Sequence, residues 1–125
     1  FEKRDEDRIE NIDTWEIEFS EIGSSTLVQG SNGENRHANG IFWINPTTGE
    51  ILRTEIVFEV DSAQASYQAR MRVDYEANSL LGMLVPKMME EHYNSEFHTV
   101  DARADYSNFK RFSVQIDLNP GTIVQ

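Results

Sequence analysis

From Thr14 onward the chain alternates. In Thr14–Ser20, "TWEIEFS", Trp15, Ile17 and Phe19 are separated by Glu16 and Glu18, the period of two that a half-buried strand shows. The stretch Gly40–Val60, "GIFWINPTTGEILRTEIVFEV", carries two more β-prone runs around Pro46-Thr47-Thr48-Gly49. Asn45-Pro46 opens a turn because proline presets φ, and Gly49 supplies the positive φ that closes it. Centred there, the hairpin sets Trp43 opposite Leu52 and Ile41 opposite Thr54. A second hairpin turns at Asp61-Ser62-Ala63-Gln64. Pairing Val60 with Ala65 sets Phe58 opposite Tyr67, Ile56 opposite Ala69, Thr54 opposite Met71 and Leu52 opposite Val73. The other face then sets Glu55 opposite Arg70 and Glu59 opposite Ser66. A one-residue slip would set apolar groups against charge. The charged interruption Arg53-Thr54-Glu55 is thereby explained: Arg53 and Glu55 face water while Thr54 faces inward.

Around these hairpins the pattern is less regular. Residues 1–13, "FEKRDEDRIENID", are charge-dense, and Ile9 and Ile12 sit at helical spacing, so the segment is a short helix or a frayed lead-in. "STLVQ" reads as a short strand, with Asn32-Gly33 marking a turn after it. In "MLVPKMMEEHY" the internal Pro86 has no amide proton for a ladder, which requires an edge position or a bulge. Val100, Ala102, Ala104, Tyr106, Phe112, Val114 and Ile116 share one parity, predicting a long final strand kinked near Ser107-Asn108. Residues 119–125 read as a tail. The sum is an all-β domain over 14–118, an antiparallel meander of seven or eight strands with hardly any helix.

The chain's 125 residues suit one domain with a core of its own. There are no cysteines, which removes disulfides and thiolate metal sites. A net charge of −11 repels phosphate backbones, so nucleic acid is not an expected partner, and anionic membrane surfaces are disfavoured likewise. No apolar run approaches the roughly 18 residues of a membrane span. The sequence begins with Phe1 and has no leader pattern, as expected of a fragment or processed product.

Candidate chemistry is sparse. Of His37, His92 and His98, the last two would lie opposite each other if the loop is Asn94-Ser95-Glu96, with Glu90 on the same face. That set has zinc-ligand character, but its spacing matches no metal signature, and solvent-facing strand residues are the plainer reading. Adjacent Glu90 and Glu91 point to opposite faces and cannot act as one catalytic pair. Glu91 shares a face with Met89 and Tyr93, where a carboxylate is either raised in pKa or paired with an arginine at the sheet's edge. No Gly-x-Ser-x-Gly, thiol or phosphate loop is present, and Gly30, Gly33 and Gly40 read as turn residues. No cofactor and no metal are implied. The apolar face is the stronger candidate: Trp43, Phe58, Tyr67, Met71 and Tyr75 share it with Ala65, Ala69, Ala102 and Ala104. Large aromatics beside alanines make a hollow on a curved sheet. The plainer reading is that this face packs on protein.

The hairpin also resembles a known one. "GIFWINPTTGEILRTEI" is similar to the Trp-x-Asp/Asn-Pro-x-Thr-Gly-x-x-x-Arg-x-Glu hairpin of the periplasmic lipoprotein-carrier-like superfamily, on Gly40, Trp43, Pro46, Gly49, Arg53, Thr54 and Glu55. Uncharacterised exported bacterial proteins resemble it further, at Val85, Pro86, Met89, Glu91 and Tyr93, then Ala104, Tyr106, Ser107, Asn108, Phe109, Arg111 and Phe112. The likeness runs from about Trp15 to Val114. It implies a half-barrel, an unclosed curved sheet whose hollow takes acyl chains, in a periplasmic or cell-envelope setting, and it implies the C-terminal part of a longer protein. The superfamily's N-terminal strands and plugging helices are missing here, and no catalytic residues come with the family. The expectation is a non-enzymatic binding module whose concave face takes a lipid chain or apolar peptide. The alternative is an interaction domain whose apolar face is covered by its own missing half or by a second copy in a homodimer.

Overall fold

A computed structural model describes residues 1–30, 33, 35–61 and 66–111. It consists of strands β1 (Glu2–Ile9), β2 (Ile12–Ser20), β3 (Val28–Gln29), β4 (Asn35–Arg36), β5 (Ala38–Ile44), β6 (Ile51–Asp61), β7 (Ser66–Asn78), β8 (Met83–Ser95) and β9 (Thr99–Asp105). Seven of them form one antiparallel sheet in the order β1-β2-β5-β6-β7-β8-β9, while β3 and β4 pair separately. The sheet is open, not closed into a barrel, and no helix occurs among the described residues. The all-β meander is therefore as the alternation predicts, with β3–β4 inserted between β2 and β5. The predicted "STLVQ" strand shrinks to Val28–Gln29 and stays outside the main sheet.

Turn chemistry accounts for the connections. Asn45 and Asn78 open two hairpins of the same build. Gly49 N donates to Asn45 O at 2.8 Å and Gly82 N to Asn78 O at 2.8 Å. Each asparagine carboxamide oxygen also accepts an amide proton of its own loop, from Thr47 at 2.9 Å and from Leu81 at 3.0 Å. Gly49 and Gly82 close the loops at φ 77° and 66°, values that glycine adopts without a Cβ penalty. A third turn overturns the expected helix or frayed lead-in. Glu10 and Asn11 have φ 48° and 67°, the paired positive values of a two-residue hairpin. That turn folds residues 2–9 back on β2, so the sheet begins at Glu2 and not at Thr14. Cross-strand contacts compensate for the poor strand propensity of so many charges. Lys3 Nζ lies 4.3 Å from the Trp15 ring centre, and the Phe1 ring lies 6.2 Å from Phe19 and 6.4 Å from Phe42.

Register sets the faces. Between β6 and β7 the pairs are Thr54–Val73, Ile56–Met71 and Phe58–Ala69, two residues from the predicted alignment. A two-residue slide keeps every side chain on its predicted face. Charge selects this register. It sets Arg53 opposite Asp74 and Glu55 opposite Arg72, whereas the predicted one would set Arg53 against Arg72. Between β5 and β6 the outcome differs. Ile44 pairs with Ile51 but Trp43 pairs with Arg53, so Leu52 is the extra residue of a bulge. The bulge moves Trp43 onto the face of Arg53 and Glu55 and sets Phe42 opposite Thr54.

The sheet is strongly rolled. In sheet order β1 and β8 are five steps apart, about 24 Å if flat. Yet Lys87 Nζ on β8 reaches Glu10 Oε1 in the β1–β2 turn at 3.2 Å. Pro86 sits where β8 is bulged against β7 and has no β9 partner, as its missing amide requires. The long final strand ends at Asp105, and Asn108 turns the chain with φ 58°. Phe112, Val114, Ile116 and the tail 119–125 lie outside the described residues, as do Ala63 and Ala65.

The core is small. Ala38, Phe58 and Ala69 are its centre, with Val28, Ile56, Tyr67, Met71 and Tyr93 packed on it. Gly40, expected in a turn, lies mid-strand in β5 and is buried, because the Phe19 ring and the Glu55 carbonyl occupy the space of a side chain. Phe19 in turn stacks on Phe42, ring centres 4.9 Å apart. Gly40→Ala is therefore expected to lower the unfolding free energy by about 1–3 kcal/mol, seen as a lower urea midpoint at unchanged slope. An unchanged midpoint would show that the ring and carbonyl yield without cost.

Candidate functional site

The apolar face is built from alternate residues of adjacent strands. β6 contributes Thr54, Ile56 and Phe58, β7 contributes Tyr67, Ala69, Met71 and Val73, and β8 contributes Met89, Glu91 and Tyr93 opposite them. β9 adds Val100, Ala102 and Ala104. Of the predicted ligand-binding residues, Phe58, Tyr67, Met71 and Tyr75 are brought to this face, with Tyr75 OH 3.5 Å from Thr54 Oγ1. Trp43 is not. It is 5% exposed on the opposite face, where its indole N–H donates to Glu16 Oε1 at 3.2 Å and the Arg53 guanidinium lies 5.6 Å from its ring. An indole carries a donor that needs an acceptor when buried, and the charged face supplies one.

The alanines divide. Ala69 is fully buried in the core and leaves no hollow, while Ala102 and Ala104 are exposed along β9. The open space lies further along the face. A cleft of about 340 Å³ is lined by Tyr67, Tyr93, Ser95, His98 and Val100. Tyr67 and Tyr93 meet edge-on there, ring centres 6.2 Å apart at 64°. Tyr93 OH donates to Glu91 Oε2 at 3.1 Å, so the Glu91 carboxylate found its partner in a phenol and not in an arginine. Ser95 Oγ is committed to its loop: it donates to His98 O at 3.1 Å and accepts from His98 N at 3.0 Å.

The core beside this cleft is covered by the excursion between β2 and β5, through Val28. One carboxylate staples that excursion. Glu21 accepts amide protons from Leu27 and Ala38, both at 2.9 Å. No periodicity marked Glu21. Its only trace in the sequence is an acid just after a strand and before a Gly-Ser-Ser loop. His37 also serves the excursion, with Nε2 2.8 Å from Gly23 O.

The other face is an ordered charge array. Glu55, expected to face water, is buried, and it accepts from Arg72 at 2.7 and 3.0 Å with Arg70 at 3.8 Å. Arg53 pairs with Asp74. The suggested His92–His98 pair does not form. His92 lies opposite Asp101 and bonds its carboxylate, and His98 lies in the β8–β9 loop. Among the described residues no group of three or more His, Cys, Asp or Glu is placed to hold a metal ion. No helix among them is long and apolar enough to cross a membrane.

Comparison with known proteins finds no matching family model, no matching curated protein and no matching solved structure.

Two titrations report on this arrangement. Burial, then the hydrogen bond to Glu91 and its charge, push Tyr93 above the usual phenol range. A raised folded pKa means that the protonated phenol favours the fold. That contribution is whole below the unfolded value, about 10, and is lost as pH climbs through the folded one. Tyr93→Phe should therefore lose less stability than the unmodified protein between neutral and strongly alkaline pH, and equal losses in a denaturation series refute this. Glu21 behaves oppositely. The amide protons of Leu27 and then Ala38 hold it below the usual glutamate range. Its contribution is present above the unfolded value, about 4.3, and is lost as pH falls through the folded one. Acid should then speed hydrogen exchange at Leu27 beyond its intrinsic pH dependence, an excess absent in Glu21→Gln.

Proposed function

We propose that the chain is a non-enzymatic binding module whose open apolar cleft, between Tyr67, Tyr93 and Val100, takes a lipid acyl chain or an apolar peptide side. The cleft carries the proposal. Its volume, about 340 Å³, lies at the small end of the range for ligand pockets, and its walls are aromatic rings and a valine. Met71 and Ala102 continue the same apolar face beside it. Ser95 and His98 also line the cleft, and Ser95 Oγ is occupied by loop backbone. The likeness of the Trp43–Glu55 hairpin to that of lipoprotein carriers supports an acyl ligand and a periplasmic or envelope setting. The open roll of the sheet is of the kind that likeness implies.

Trp43 lies on the far face and reports nothing of such binding. Titration with fatty acids of increasing length, followed by displacement of a fluorescent fatty acid, is the measurement. Each methylene buried contributes about 0.8 kcal/mol, so affinity should rise about fourfold per carbon until the cleft is full. Val100→Lys should weaken binding about tenfold or more. Affinity independent of chain length, or unchanged in Val100→Lys, would refute the proposal.

A further inference from the structure

Among the described residues β9 pairs on one side only, with β8, and all seven of its residues are exposed. Two hydrogen bonds reveal which backbone groups it leaves open. Ser95 N donates to His98 O at 2.8 Å and Tyr106 N to Lys87 O at 2.9 Å, so even-numbered residues turn their groups toward β8. Direction alternates along an antiparallel strand, which sends the amide and carbonyl groups of Thr99, Asp101, Arg103 and Asp105 to the free edge. Natural edges are blunted by charged side chains, lysine above all, by proline or by a bulge, and β9 carries Asp101, Arg103 and Asp105, whose alternating sign an antiparallel copy can answer. The strand contains no proline and no lysine, and its pairing with β8 runs without a register shift.

We propose that β9 pairs antiparallel with β9 of a second copy about a two-fold axis at Ala102, joining two chains into one continuous sheet. Charge selects both the partner and the register. Edge-facing groups must meet edge-facing groups, and opposite residues must share a face, so alignments change in steps of two. With the axis at Ala102, Asp101 meets Arg103 of the copy, and by symmetry Arg103 meets Asp101 of the copy. Val100 then meets Ala104 on the apolar face. Moving the axis to Asp101 or Arg103 sets a like charge against itself. Moving it to Val100 or Ala104 engages under half of the strand. Within one chain Asp101 already bonds His92 and Arg103 pairs with Asp105 at 3.0 Å, so association extends an existing charge ladder. The apolar faces of the two copies also become continuous across the axis, beside each cleft at Val100.

The chain has no cysteine, so a single introduced thiol is diagnostic. Ala102 would lie opposite its own copy in a non-hydrogen-bonded pair, Cα atoms about 4.5 Å apart, within disulfide range. Sedimentation equilibrium of the unmodified protein should show a dimer. Ala102→Cys should cross-link on mild oxidation, and Ala104→Cys should not. Arg103→Asp should weaken association about tenfold, and the double exchange Asp101→Arg with Arg103→Asp should restore it. Folding of each variant is checked by circular dichroism. A monomer at every accessible concentration, or a dimer indifferent to Arg103→Asp that cross-links equally at both positions, overturns the proposal. Acyl-chain binding by a monomer would remove the dimer and leave the ligand reading standing.

Discussion

Glu55 is a charged side chain in a buried position at the centre of the sheet, and its neighbours are arranged to answer it. Its carboxylate takes two hydrogen bonds from Arg72, while Arg70 stands close by on the same strand. A buried carboxylate without partners would cost several kcal/mol, so β6 and β7 cannot slide freely past each other. Arg70 alone could also have answered Glu55, two residues along. Arg53 removes that option, since the alternative alignment would press it against Arg72 where the observed one gives it Asp74. The charged face therefore selects the register that the apolar face inherits. Phe58 over Ala69 and Ile56 beside Met71 follow from it.

That inheritance gives the sheet two faces with different tasks. The charged one is a ladder of paired charges that also houses Trp43. The apolar one is finished only over Ala38, Phe58 and Ala69, where the Glu21-stapled excursion lies across it. Beyond this cover the sheet is a single layer among the described residues, and stable domains normally bury a sheet's apolar face against a second. Toward β9 the apolar face stays open. The cleft beside Tyr67 and Tyr93 and the β9 edge, unpaired among the described residues, are thus parts of one unfinished region. The proposed acyl ligand and the proposed second copy each complete a different part of it.

Trp43 and Gly40 show where reading along the chain failed. Strict alternation placed Trp43 with Phe58, and it holds from Thr54 to Glu59 and from Ser66 to Val73. A bulge of one residue at Leu52 reverses it for Trp43. The bulge has no signature in period-two patterning, because Leu52 keeps the parity of Thr54, Ile56 and Phe58 and reads as one more member of their face. Gly40 resembles a turn glycine in sequence, yet its reason is the Phe19 ring from a strand twenty-one positions upstream. The Glu10-Asn11 turn was missed because a dense run of charge masks strand propensity.

The sequence by itself determined the all-β class, the Asn–Pro and glycine-closed hairpin, the need for an edge or a bulge at Pro86 and the sidedness of β6 and β7. Those depend on local backbone preference and on a period of two, both of which act over a few neighbours. Only the tertiary structure decided which face holds Trp43, what covers the core and where the open cleft lies. These depend on cross-strand register and on the roll that brings Glu10 to Lys87. Such relations join residues distant in the chain, and neighbouring residues carry no record of them.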